Sequence, residues 1–376
     1  MSARRPLPRW ADVALLPLLN LGLAMIVSGF VVAAIGQSPL QAIQVMIKGA
    51  FGDGVGIGFT LYYATDFIFT GLAVAVAAHA GLFNIGGDGQ AYVAGIGALA
   101  AGMLLGNTHW LLVLPVATLF AAAVGAAWVF IPAYLQAKRG SHVVITTIMF
   151  NFIGSALMIY LLNGPLKGKG TQGAESAAVT GAGLMPHLQA FVPAFGYAPV
   201  NVSLFVALLA LVACYVLVWH TRFGYAMRAM GHNAAATRYA GISNSKMIIT
   251  ILLISGGFAG ITAVNEVLGS QTRLVTDITG QAGFIGIAVA LMGRNHPVGI
   301  LLAAVLFGAL TQGGTELQFD MPAVSVQMIL VIQALVIMFT GAMEGLLRPG
   351  LENVFMIFGP RQRETAVSRE TATTES

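Results

Sequence analysis

The chain has 376 residues, 57% of them hydrophobic and only 9% charged, with a formal charge of +4. Soluble domains carry roughly 25% charged residues, so a water-soluble fold is excluded, and the small basic excess speaks to membrane topology rather than nucleic-acid binding. The single cysteine, Cys214, excludes an internal disulfide.

Apolar runs recur along nearly the whole chain, which predicts an all-α, polytopic membrane protein of about ten transmembrane segments. The 46 glycines suit helices that pack closely in lipid. Residues 1–345 read as the membrane domain. Residues 346–376 read as a cytoplasmic tail whose Thr, Glu and Arg content is that of a disordered segment. Arg4, Arg5 and Arg9 precede segment one, residues 11–35, which is too long for the apolar core of a signal peptide. A glycine-rich loop is expected over 36–58 and segment two over 59–80. Residues 81–90 are a glycine-rich break in an otherwise apolar region. Segment three continues to 105, and segment four covers 111–134. Lys138 and Arg139 mark a basic turn before segment five, 143–162. The longest internal loop, 163–200, leads to segment six, 201–219. A polar, basic interval over 220–246 comes next, then segment seven, 247–268. Segments eight and nine read as short pieces on either side of Arg294-Asn295-His296-Pro297, and segment ten as 324–343.

The positive-inside rule orients this layout. With the N-terminus inside and ten crossings, only Lys48, Lys167, Lys169 and Arg273 of the 18 Lys and Arg residues fall outside. Both termini and the 220–246 loop are therefore placed in the cytoplasm.

Gly231 is expected to divide that loop into two short helices. Phe223, Met227 and Met230 share one face of the first. Asn233 is a suitable N-cap for the second and Gly241 a suitable C-terminal stop. Arg222, Arg228, Arg238 and Lys246 make the loop strongly positive. An apolar edge on such a loop fits docking against another protein; the plainer reading is a loop that only fixes orientation.

The break at 81–90 demands its own explanation. Irregular backbone at membrane depth is tolerated only inside protein or along a wet cavity. Asn84, Asp88 and Gln90 bring hydrogen-bonding groups there, and a carboxylate at such depth is a functional candidate. Two compatible readings stand: these residues line a solute pathway, with Phe83 beside them, or Asn84 and Asp88 cap the following helix. Asp66, Asn151, Asn265, Glu266, Gln327 and Gln333 are further intramembrane polar groups, each suited to an interhelical hydrogen bond. Glu266 reads as interfacial.

Catalytic and metal chemistry leave no mark. There is no G-x-x-x-x-G-K-[ST] phosphate loop, and the nearest stretch, GPLKGKGT at 164–171, has the wrong spacing. There is no H-E-x-x-H motif and no Cys/His cluster with metal-ligand spacing. No catalytic residue and no metal site is assigned, which suits a chain whose energy comes from a separate motor.

Residues 81–90, GLFNIGGDGQ, closely match a G-L-F-N-I-G-x-E-G-Q signature. The loop adds Gly224, Arg228-Ala229, Gly231, Asn233 and Ala240-Gly241-Ile242. With the ten-segment layout, the chain resembles the inner-membrane permease of ABC importers of the nucleoside and simple-sugar type, over about residues 11–345. The resemblance implies a type II importer fold and a non-catalytic transport subunit in a bacterial inner membrane. It implies a cytoplasmic ABC ATPase that binds ATP and Mg, so this chain holds no cofactor of its own. It also implies a second homologous permease, commonly a different one, and an extracytoplasmic substrate-binding protein. Phe223, Met227, Arg228, Met230, Gly231 and Asn233 would then belong to the ATPase-coupling loop. Asp88 departs from the usual glutamate and shortens its reach.

The match is nearer to the nucleoside branch than to the ribose or galactose branch. Two other classes remain open on the residues alone. A proton-coupled transporter could relay through Asp66, Asp88 or Glu266, but no repeated pair of broken helices is evident. A membrane enzyme could pair His79 with Asp88, but no nucleophile accompanies them.

Overall fold

A computed structural model describes residues 15–181, 183–342 and 351–352. The basic N-terminus and nearly all of the tail at 346–376 lie outside the described residues. Helices make up the described chain, which otherwise holds turns, 3-10 and π turns and isolated bridges. In order they are α1 (Leu16–Ala34), α2 (Pro39–Phe51), α3 (Gly54–His79), α4 (Gly87–Leu105), α5 (Trp110–Tyr134), α6 (Val143–Asn163), α7 (Ser203–His220), α8 (Arg222–His232), α9 (Ala234–Tyr239), α10 (Asn244–Val264), α11 (Ala282–Met292), α12 (Pro297–Asp320) and α13 (Val326–Ala342).

The expected glycine-rich loop over 36–58 is instead α2 and the first turn of α3. Ser38 caps α2 by accepting from Gln41 N, Pro39 occupies its first turn, and Ala42, Met46 and Ala50 bury one face at i, i+4 and i+8. Asp53 then accepts from Gly56 N at 2.7 Å and starts α3 at once. α1 and α2 meet at a bend of 117°.

α3 is the centre of the bundle. Almost every residue from Thr60 to Ala77 is buried, and α2, α7, α10, α11 and α12 all pack on it. Glycine makes the close approaches around it. A Cβ at Gly97 of α4 would sit 2.6 Å from the Phe120 carbonyl of α5, and one at Gly125 of α5 would overlap the Gly256 carbonyl of α10. Backbones this near gain dispersion contacts that larger side chains would prevent.

Among the described residues, six helices are long and apolar enough to cross a membrane, or up to seven if the bent pair is one span. α11 and the central part of α13 are shorter apolar helices. The expected short segments eight and nine are unequal: α11 has 11 residues, but α12 has 24. Two ends of the bundle can be told apart. One carries α8, α9, the close of α3 and the Arg294-Asn295 turn. The other carries the connection from α6 to α7, folded over the α4–α5 and α10–α11 connections by hydrogen bonds such as Gly183 N to Gly106 O at 3.1 Å and Met185 N to Leu268 O at 3.1 Å.

Candidate transport site

The break at 81–90 is held by its own amides. Gly81 turns the chain out of α3 at φ +70°, a backbone state that suits glycine. Asn84 Oδ1 accepts from Gly86 N at 2.9 Å and from Gln90 Nε2 at 3.0 Å. Its Nδ2 donates to Gln90 Oε1 at 3.0 Å and to Ser255 Oγ of α10 at 2.8 Å. Asn151 of α6 grips the other side, accepting from Gly89 N at 2.9 Å and donating to Ile85 O at 3.0 Å. Asn84 and Gln90 are 1% and 2% exposed. Their polar groups are engaged in fixing the break itself, and no side chain caps α4. Phe83 is part-buried against the helical core.

Asp88 points elsewhere. Its Oδ1 accepts from Thr279 Oγ1 at 3.0 Å and from Gly283 N at 3.4 Å. It therefore caps α11, not the helix it begins. α11 lacks a cap of its own, because Gln281 at its N-cap position makes no side-chain bond. The shortened carboxylate reaches its partner because Gly283 lies directly on the Asp88 backbone, where a Cβ would overlap.

A second break precedes α11. Residues Asn265–Ser270 form a π turn, and Thr272, Asp277 and Gln281 all have positive φ without being glycine. Such strained backbone concentrates at functional sites. Tyr92 of α4 supports this stretch by accepting from Asp277 N at 3.1 Å.

A cavity of about 460 Å³ opens beside it, between the second break, α11, α12 and α13. Asp277, Gln281, Thr311, Thr315, Gln318 and Gln333 supply its polar lining, and Phe284, Ile329, Leu330 and Ile337 are among its apolar walls. Gln333 donates to Thr311 Oγ1 at 3.3 Å. Among the described residues, no lysine or arginine lines it. Amides and hydroxyls beside an aromatic ring fit an uncharged polar solute, and Asp277 is the charged residue among those described in the lining. Sequence reasoning named Gln333 as a polar group but missed the rest. Thr311, Thr315 and Gln318 at i, i+4 and i+7 were the available signal.

Deeper in the bundle, Asp66, Asn265 and Glu266 do serve as interhelical hydrogen-bond formers. Tyr62 Oη donates to Glu266 Oε1 at 2.6 Å, and Asn265 Nδ2 to Asp66 Oδ1 at 2.9 Å. Asn265 Oδ1 accepts from Asn201 at 2.8 Å and Ser203 at 2.7 Å. Glu266 is 7% exposed and so is buried within the bundle.

The basic loop also differs from expectation. α8 runs through Gly231, and the divide falls at Asn233, which accepts from Ala235 N and Ala236 N at 3.0 Å each and so starts α9. Met227 is fully buried and Met230 is 5% exposed; both belong to the protein's own core, with Phe223 packed against it. They are not an outward docking edge. An amphipathic helix beside an apolar bundle seats its apolar face on that bundle first. The outward surface is carried by Tyr225, 68% exposed, and Tyr239, 95% exposed, with Arg222, Arg238 and Lys246. Arg228 is part-buried and Gly231 and Asn233 are exposed.

The family model for the permease component of branched-chain amino acid transport systems matches residues 56–341, which takes in both breaks, the cavity and α8–α9. The chain belongs to this permease family. The permease is 35% identical over 347 residues to the glucose ABC transporter permease protein TsgB13 of Haloferax volcanii, covering 90% of each chain. It is 34% identical over 332 residues to the guanosine ABC transporter permease protein NupP of Bacillus subtilis, covering 87% of this chain and 93% of the relative. It is 29% identical over 330 residues to the nucleoside ABC transporter permease protein NupB of Lactococcus lactis, covering 86% and 90%. Each of those organisms also holds a second matching permease, at 24%, 27% and 26% identity respectively. No solved structure matches the permease.

Proposed function

We propose that the permease forms the membrane pathway of an ATP-driven importer and that its solute is a nucleoside. Relatives named for guanosine and nucleoside transport, matched over nearly their whole lengths, carry this reading. The cavity agrees with it in chemistry: hydroxyls and amides for a ribose and a base edge, Phe284 for a base face, and no cation to hold a phosphate.

The assembly follows from the same family. A second permease, different in sequence, completes the pathway; three organisms each hold two matching permeases at unequal identity. A separate ATPase binds ATP and Mg and docks on the Tyr225 and Tyr239 face of α8–α9. A substrate-binding protein delivers solute at the opposite end. The chain crosses the bilayer ten times through α1, α3–α7 and α10–α13, with both termini on the cytoplasmic side of a bacterial inner membrane.

The test is uptake of radiolabelled guanosine into proteoliposomes holding both permeases, the ATPase and the binding protein. Uptake is expected to require ATP, to survive a protonophore and to be competed by adenosine but not by guanosine monophosphate. The TsgB13 relative motivates one alternative. Competition by glucose or ribose, with no guanosine uptake, would assign the pathway to a simple sugar.

A further inference from the structure

α11 is fastened at both ends to the same stretch of chain. At its start, Asp88 receives Thr279 Oγ1 and Gly283 N. At its end, the turn after Met292 is tied to the close of α3, because His79 Nε2 donates to Asn295 O at 3.0 Å. Asp88 and His79 flank the 81–86 break, so the break and α11 form a closed frame. α11 contributes Phe284 and Ile285 to the cavity, and Gln281 and Asp277 lie in the stretch that Asp88 fixes.

α8 packs its apolar face on the core beside this frame and meets it backbone to backbone at Gly231. Gly231 lies flat against the His79 carbonyl and within reach of Ala80 and Gly81; a Cβ there would overlap His79 O. Backbone on backbone leaves no compliant side chain between them, so a shift of α8 is passed on rather than absorbed. On its other sides the break is tied to α6 through Asn151 and to α10 through Ser255. Asp88, just past the break, is the group that reaches the start of α11.

We infer that Asp88 is a positioning residue: it caps α11 from a neighbouring helix and carries movement of α8, received at Gly231, into the cavity wall. Asp88 touches no solute in this role. It sets where Gln281 and Phe284 stand, and the proposal rests on the importer reading only for the meaning of that movement.

Two measurements on the assembled transporter test it. The first is hydrogen exchange of α11. Asp88→Ala and the nearly isosteric Thr279→Val are each expected to raise exchange of the Gly283–Phe284 amides at least about tenfold, leaving α6 and α10 unchanged. This outcome does not depend on transport, so it stands apart from the importer reading. The second is the ratio of solute taken up to ATP hydrolysed. Asp88→Ala and Thr279→Val are expected to keep hydrolysis within about twofold and to lower uptake about tenfold, and Asp88→Glu is expected to recover part of it. If Asp88→Ala does not assemble, Thr279→Val carries both measurements. Unchanged α11 exchange in Thr279→Val would overturn the cap. Uptake and hydrolysis falling in proportion, or both staying at the unaltered level, would overturn the transmission.

Discussion

Shortening Met227 to alanine separates the two jobs of the basic loop. Met227 has no exposed surface and lies in the bundle core with Met230. Buried Met→Ala changes cost about 2–5 kcal/mol, through lost transfer energy and the cavity left behind. α8 is a short helix seated on its apolar face, so the loss should fall on local opening. At the lower bound, about 2 kcal/mol raises the open population about thirtyfold. Limited trypsin digestion of the purified permease reads this directly. Arg228 is part-buried, and cleavage after it needs an opened α8. When reclosing is fast, the rate follows the open population. Met227→Ala is therefore expected to be cut after Arg228 at least about thirtyfold faster. Tyr225→Ala with Tyr239→Ala is the counterpart. Surface changes stay within about 0.5 kcal/mol each, so cleavage should rise by less than about sixfold while the ATPase is lost on purification. An unchanged cleavage rate in Met227→Ala, with the ATPase lost, would put Met227 on the outer face and refute this account of the loop.

Three further outcomes are expected. Cysteine at Ala235 should resist membrane-impermeant thiol reagent in intact cells, whereas cysteine at Gly173 should be labelled; the reverse pattern would invert the proposed topology. Gln318→Ala should raise the KM for uptake about two- to tenfold with little change in ATP hydrolysis, since one hydrogen bond is worth about 0.5–1.5 kcal/mol, and an unchanged KM would remove Gln318 from the pathway. Asn265→Leu deprives Asp66 of its amide donor and Asn201 of an acceptor, which should cost about 1–3 kcal/mol and appear as a lower midpoint of thermal aggregation in detergent.

The membrane class was legible because bilayer crossing demands long apolar runs, and α3, α5, α7 and α10 follow those runs closely. α2 was hidden because its glycines and polar residues resemble a loop until the Ser38 cap and the buried Ala42-Met46-Ala50 face are seen together. The first break announced itself in GLFNIGGDGQ, but not the direction of its carboxylate. Asp88 looks like a cap for its own helix because the distance to α11 is a fact of tertiary packing. The second break was missed for a related reason: Thr272 and Gln281 are not residues that ordinarily signal left-handed backbone, and Asp277 alone is a weak signal. In the basic loop the apolar face was found and its partner misjudged. Periodicity shows which side of α8 is apolar, not whether that side meets another subunit or the chain's own core.

The division of labour between α8 and α9 bears on how such a loop can change over time. α8 is committed to the permease by Met227, Met230 and the crowded Gly231, so most substitutions there disturb the chain that carries them. α9 is largely exposed and is set off by Asn233, so its surface can drift with little internal penalty. A new ATPase partner could therefore be acquired by altering the exposed residues of α9 and the outer side of Tyr225 while Thr237 and the inner seam stay fixed. Chimeric loops that exchange α9 alone should fold where exchanges of the whole interval fail.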